Sequence, residues 1–590
     1  MAVLTRPRHA RRRPRLRRMS ALDITSAVLG LAFLAMLLFP MAEMLRRVFV
    51  VDGELQASIV ADALGDPSLP TYLWQTALTI IPASLVAVGI ATVFAWLNER
   101  TDAAMGLTSR LLPVVPLLLP PIALSTGWFF LAHPRAGSVN LAIQAVAGRL
   151  GIDRWADGGP INITTWPGLV FVYVLYLVPF GYLLISAAYR NFDPSMEEAS
   201  RVMGAGPWRT FIRVSVPGIL PGITAGTFVV GIAAISSFSI PVTIGTAANV
   251  NVLSVLIVRL ARDTYPPRIG EAVVLGLIVL VVVAFLWILQ RMVGARQRHS
   301  VVGGRGRAAT KVALGPWRWV ARAVMIGYLL SASVLPLLAL FVTSLQRFWS
   351  PQINWNTLNF SVYRDLFEGS SMMADGLRNS VTLGIVGATT AMLIAVVLMS
   401  YVKSRATAFS RVVDGGTKLP GAISHVVIGL AFVVALSGSP FHLNGTMAIL
   451  LLAYIVMYMP QASIAAASGL DQIGKDLGEA SIVSGSSRHR TLARITLPLI
   501  RSSVASGWAL LFVVMCGDLT ASALLATGSN PVVGFVIYDI WGNATYSLLA
   551  AAATVIGTVS FLIVGTILTW GGRTSAYRGA KQPPVGAGAA

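Results

Sequence analysis

The chain has 590 residues, of which 55% are hydrophobic and only 12% charged, about half the charge of an average soluble protein. That supply cannot coat the three or four soluble domains the length would allow, so a soluble multidomain enzyme is excluded and an integral membrane protein is indicated. The net charge of +21 does not point to nucleic acid, because the basic residues fall between apolar runs, where anionic lipid and membrane topology account for them.

A helix needs about 20 apolar residues to cross a bilayer core, and twelve such runs follow one another along the chain. The first six lie near residues 24–45, 73–97, 111–132, 166–188, 217–240 and 271–290, the second six near 320–345, 379–402, 419–438, 447–467, 502–523 and 548–570. The runs are continuous, which indicates helices rather than barrel strands that alternate over about ten residues. Eight arginines between Arg6 and Arg18 precede the first run. A cleaved signal peptide is not expected there, since Ile24 to Met44 is too long and no A-x-A-like site follows. Twelve spans put both termini on one side, and the loops of that side hold 34 of the 45 basic residues, which assigns it to the cytoplasm. The single cysteine, Cys516, sits in an apolar run and excludes a disulfide framework.

Residues 1–23 read as a basic cytoplasmic tail, 24–292 as a first six-helix domain, 293–318 as a Gly- and Arg-rich cytoplasmic linker, 319–572 as a second six-helix domain and 573–590 as a cytoplasmic tail. The two domains repeat each other. Residues 198–219, EASRVMGAGPWRTFIRVSVPGI, and 479–500, EASIVSGSSRHRTLARITLPLI, are identical at ten of 22 positions at a constant offset of 281. Pro179 and Pro460 keep the same register upstream. Six spans separate the two loops, so both face one side and the repeat is parallel.

The first loop has the chemistry of a short helix. Asp193 can cap it, Pro194 fits its first position, and Glu197 and Glu198 suit the positive end of its dipole. Gly204 and Gly206-Pro207 end it, and Arg209 and Arg213 lead to Pro217 at the next membrane entry. The second loop repeats this with Asp476, Glu479, Gly485, Arg490, Arg494 and Pro498. A single copy reads as an amphipathic connector; duplication in register reads as two copies of one docking surface.

Glu-Ala-Ser, Gly six residues after the Glu and Pro nineteen after it resemble the EAA loop of binding-protein-dependent ABC importer permeases. Ser200 and Ser481 replace the family's third-position Ala, and Ile495-Thr496-Leu497-Pro498 keeps its I-x-L-P, where the first copy has Val214-Ser215-Val216-Pro217. The resemblance implies an all-α integral membrane fold, with twelve transmembrane helices as two parallel six-helix repeats of the type I ABC importer permease fold. It implies that Glu198, Ala199, Gly204 and Pro217, with Glu479, Ala480, Gly485 and Pro498, form two coupling elements for two copies of an ABC ATPase subunit. It further implies an extracytoplasmic solute-binding protein as partner and a bacterial cytoplasmic (inner) membrane location. No G-x-x-x-x-G-K-[ST] phosphate loop occurs in this chain, so hydrolysis is expected on the partner and no catalytic residue or cofactor here.

Trp96-Leu97-Asn98-Glu99-Arg100-Thr101-Asp102, Gly127-Trp128 and Pro134-Arg135-Ala136-Gly137 are most similar to the fused iron(III)-type permeases, relatives of which handle aminoethylphosphonate, thiamine or polyamines. Polar residues within spans mark pathways: here Ser236, Ser237 and Ser239 in the fifth run, and Asp518, Thr520 and Ser522 in the eleventh. The offset pairs Ser237 with Asp518, both expected near the outer end. His133, His425 and His442 are scattered with no i,i+4 pair, so no metal-ligand set is drawn. Arg135, Arg259, Arg262 and Arg268 read as solvated outer charge or as contacts for an acidic partner. An ion-coupled secondary transporter would carry ionisable residues at the midplane, which these runs lack apart from Asp518. An embedded enzyme would show a nucleophile–base pair or a metal constellation, and neither H-E-x-x-H nor G-x-S-x-G at a strand–helix turn occurs.

Overall fold

A computed structural model describes residues 21–51, 54–55, 58–151, 159–297, 311–350, 353–369, 371–405, 407–473, 477, 480–481 and 483–579. Residues 1–20, 298–310 and 580–590, and within the second loop Asp476 and Glu479, lie outside the described residues.

Eight of the twelve runs are helices that can cross a membrane by length and composition: Ala21–Phe49, Leu69–Arg100, Trp166–Asn191, Ile269–Gln297, Trp317–Ser344, Ser371–Ser404, Met447–Asp471 and Tyr546–Gly579. They form spans 1, 2, 4, 6, 7, 8, 10 and 12. Among the described residues, β structure is limited to Val50–Val51 paired with Glu54–Leu55 and one bridge from Thr101 to Val312.

The other four runs are bent or broken. Span 5 is Pro207–Gly218 joined to Leu220–Ser236 at 73°, span 9 is Ala408–Ala422 joined to His425–Leu436 at 103°, and span 11 is Arg488–Leu499 joined to Arg501–Cys516 at 77°. Span 3 is broken into a short turn, Val115–Leu118, and the helix Pro121–Ala132. Proline causes these breaks. Pro217 and Pro221, Pro420, Pro498, and Pro120 with Pro121 flank the bends, and each lacks an N–H and crowds the preceding turn.

The repeat extends through both halves. Trp166–Asn191 matches Met447–Asp471 and Leu220–Ser236 matches Arg501–Cys516 at the loop offset of 281. Ahead of that, Pro121–Ala132 matches His425–Leu436 at an offset of 304. The offset changes because the first half carries an extra helix, Ser138–Arg149, after span 3.

Each half lends its first span to the other. Span 1 packs on spans 8 and 9, and the end of span 7, Leu335–Ser344, packs on span 3. At the second crossing a Cβ on Gly127 would meet Pro336 backbone at 2.6 Å, so only glycine permits the approach. The neighbouring Trp128 Nε1 donates to the Ser331 carbonyl at 2.8 Å, and Tyr328 Oη donates to the Leu175 carbonyl at 2.9 Å. With no hydrophobic drive between helices in lipid, this close packing and these hydrogen bonds hold the halves together.

Candidate functional site

The loop after span 4 folds into the helix Ser195–Val202. Asp193 Oδ1 accepts from Ser195 N at 2.9 Å, taking up one of the free amides at its start. At its end Gly204 has φ +85°, Gly204 N donates to Arg201 O at 2.9 Å, and Ala205 N donates to Ser200 O at 3.1 Å. This is a Schellman closure, whose left-handed residue favours glycine. The second loop has the same backbone: Gly485 has φ +84° and Ser486 N donates to Ser481 O at 3.1 Å. The sequence repeat is thus a repeat of conformation.

The serines that replace alanine have a role that the sequence did not reveal. Ser200 Oγ lies 3.0 Å from Thr210 Oγ1, and Ser481 Oγ lies 2.9 Å from Thr491 Oγ1. Each hydroxyl pair ties the short helix to the basic turn behind it. The only sequence signal was that both partners are identical in the two copies.

Among the exposed residues of these loops, several are apolar. Val202 is 86% exposed, Met203 87% and Val483 87%; Ala199, Gly204, Pro217, Ala480, Gly485 and Pro498 are also exposed. Glu198 is half-buried, and Glu479 lies outside the described residues.

Behind the first loop, Glu197 is buried. Its Oε2 lies 2.8 Å from Arg100 Nε and its Oε1 accepts from Ser215 Oγ at 2.5 Å. Arg100 also donates from Nη2 to the Tyr189 and Phe192 carbonyls at 3.0 and 2.8 Å. Trp96 packs on Trp208 and Phe211 beside it, with ring centroids 6.1 and 4.7 Å away. Nearby, Glu99 and Arg190 pair at 3.0 Å between spans 2 and 4. In the second half the same two positions are Lys403 and Asp471, which also pair, with the charges exchanged.

The two pathway candidates both lie where a helix breaks off. Helix 501–516 ends at Cys516 and a separate helix starts at Thr520, so Asp518 sits in the break between two helices. Its Oδ1 accepts from Tyr458 Oη at 2.9 Å, and Tyr458 is midway along Met447–Asp471. Its Oδ2 accepts from Ala521 N at 2.7 Å and Ser522 N at 3.3 Å, capping the new helix. Ser237 likewise ends the helix Leu220–Ser236, and its carbonyl accepts from Ser254 Oγ at 2.9 Å. Both border the seam between halves: Gly517 lies against Pro120, and Phe238 stacks 5.9 Å from Tyr538. Among the described residues no hydrogen bond joins Ser237 to Asp518.

Arg262 is half-buried and engaged within the chain. It reaches across the seam on the face away from the loops, donates to the Ala523 carbonyl and stacks 4.6 Å over Phe535. Tyr538 Oη donates to the adjacent Asp263 at 2.7 Å. The three histidines stand apart: His425 packs on Tyr458, His133 on Phe129 and Trp349, and His442 lies in a loop.

The family model described as "Binding-protein-dependent transport system inner membrane component" matches residues 85–299 and 387–573, once in each half. The chain belongs to that family. It is a multi-pass inner-membrane permease component of a binding-protein-dependent ABC importer, and hydrolysis of ATP falls to a partner ATPase. Among curated relatives, the permease is 22% identical over 81% of its length to the ferric transport system permease protein FbpB of Actinobacillus pleuropneumoniae, covering 68% of that protein. It is 24% identical over 87% of its length to the probable ABC transporter permease protein y4fN of Sinorhizobium fredii, covering 89% of it. A solved bacterial ABC transporter that imports the acidic polysaccharide alginate aligns with 43% of the permease and 96% of its own chain, at 20% identity and a TM-score of 0.34.

Proposed function

We propose that this permease forms the membrane pathway for iron(III) delivered by an extracytoplasmic solute-binding protein, with one ATPase copy seated on each of the two loops. The observation that carries the coupling role is the pair of matching glycine-closed loops, each presenting exposed apolar residues. Ala199, Gly204 and Pro217 with Ala480, Gly485 and Pro498 form the two contact surfaces, and Glu198 and Glu479 are the acidic residues of the same motif. Both termini and both loops face the cytoplasm, in line with the distribution of basic residues. Ser237 and Asp518 line the route between halves. Iron is favoured over aminoethylphosphonate, thiamine or polyamine by the similarity to ferric permeases.

The test is reconstitution with ATPase and binding protein in liposomes. Cysteines at Ala199 and Ala480 should each cross-link to an ATPase copy, and uptake of iron should depend on ATP. Glu479→Arg should abolish ATP-driven uptake. Cross-linking at neither loop would overturn the coupling role; uptake of one of the other solutes in place of iron would overturn the substrate.

A further inference from the structure

The two loops share a backbone but are not anchored alike. The first is fixed within its own half by Arg100, Glu197 and Ser215 and by the stack of Trp96 on Trp208 and Phe211. In the second half, register places Ser404, Gly478 and Thr496 at the three polar positions, and Ser400, His489 and Leu492 at the three aromatic ones. None of these can rebuild the buried ion pair or the ring stack.

The second loop is reached from the opposite half instead. Asp23, in the first turn of span 1, is buried and takes a two-point contact from Arg405, Nε to Oδ1 at 3.2 Å and Nη2 to Oδ2 at 2.7 Å. Arg488 of the second loop brings its Nη1 to 3.8 Å from Oδ1 of the same carboxylate. Arg405 follows span 8 and Arg488 follows span 10, so one acid joins span 1 of the first half to two elements of the second.

The counterpart crossing does not do this. Arg322 of span 7 donates to the Ala103 and Asp102 carbonyls at 3.1 and 3.0 Å, which ties span 7 to the turn after span 2. The position matching Arg488 is Pro207, which offers no charge to hold.

We infer that the docking loops are wired to different halves: the first moves with its own half, whereas the second is positioned in trans by Asp23 through Arg488. Asp23 and Arg488 are positioning residues, and Glu197 is their counterpart on the other side. The functional weight of this wiring rests on the reading of the loops as ATPase docking elements.

Spin labels at the matched exposed positions Val202 and Val483, introduced as cysteines into the full chain with Cys516→Ala and held in lipid nanodiscs, test it directly. Arg488→Gln, which spares the Asp23–Arg405 contact, should raise label mobility at 483 and leave 202 unchanged, and Asp23→Asn should do the same. Glu197→Gln should do the reverse. Arg488→Lys should return the label at 483 to its original mobility. Equal responses at both labels, or no response at 483 to either Arg488→Gln or Asp23→Asn, would overturn the inference. With ATPase and binding protein added to unlabelled protein, Arg488→Gln should at least double the ATP consumed per solute moved. Label responses as expected with unchanged ATP consumption would leave the wiring intact and sink the docking role instead.

Discussion

Gly204 and Gly485 sit at positive φ with open space around the missing Cβ, so substitution there strains the backbone without a clash. An alanine in the left-handed region costs roughly 1–2 kcal/mol, and about 1.4 kcal/mol is a tenfold change in binding. Gly204→Ala should therefore weaken ATPase binding about tenfold, measured by surface binding of purified ATPase to nanodisc-held permease. Gly204→Asn should lose less, since asparagine tolerates that region. His133 gives a pH prediction. Burial, and then the charge of Arg135, lower its pKa below the ordinary value. A depressed histidine gives full stability above its unfolded pKa and loses it as pH falls through the folded one. Fluorescence of the tryptophans around it, Trp349 included, should change on acidification below about pH 6.5, and His133→Gln should remove that limb.

Among elements, the exchanged ion pairs Glu99–Arg190 and Lys403–Asp471 brace spans 2 and 4 and spans 8 and 10 at the same point. Glu99 is buried, so Glu99→Lys alone faces Arg190 with a like charge and should lower the melting temperature. Adding Arg190→Asp installs the arrangement of the second half and should recover most of the loss; failure to recover would mean that the brace depends on more than sign. The crossing at Gly127 is sterically closed, and Gly127→Leu should cost on the order of 1–3 kcal/mol by overpacking, read as a drop in detergent-solubilised melting temperature. Apolar run length made the eight straight spans legible in the sequence, and the glycine and proline spacing made the docking loops legible. The sharpness of the bends was not legible, because hydropathy is blind to a proline that bends a run without making it polar. The break at Asp518 was missed because the eleventh run was taken as one helix, and Gly517-Asp518-Leu519 is too short an interruption to register in a hydropathy window. Buried anchors such as Arg100–Glu197 pair residues far apart along the chain, which no local pattern displays.

At the scale of the whole molecule, two halves interlock by exchanging their first spans and meet along a seam. On the face away from the loops, Arg262, Asp263, Phe535 and Tyr538 close that seam. Arg262→Ala removes the bridge without touching the loops, so it should favour opening on that face and raise ATP turnover of the assembled importer in the absence of binding protein. Unchanged turnover would show that other contacts hold the closure. The helix Ser138–Arg149 has a further consequence. It has no twin in the second half, and its Asn140 is pinned to the Ile161 backbone at 2.6 and 3.1 Å, so it is a fixed landmark on one half alone. A body with true two-fold symmetry would accept a visitor in either of two poses half a turn apart; with this single ridge, one pose meets a wall where the other meets a gap, and arrival acquires a direction.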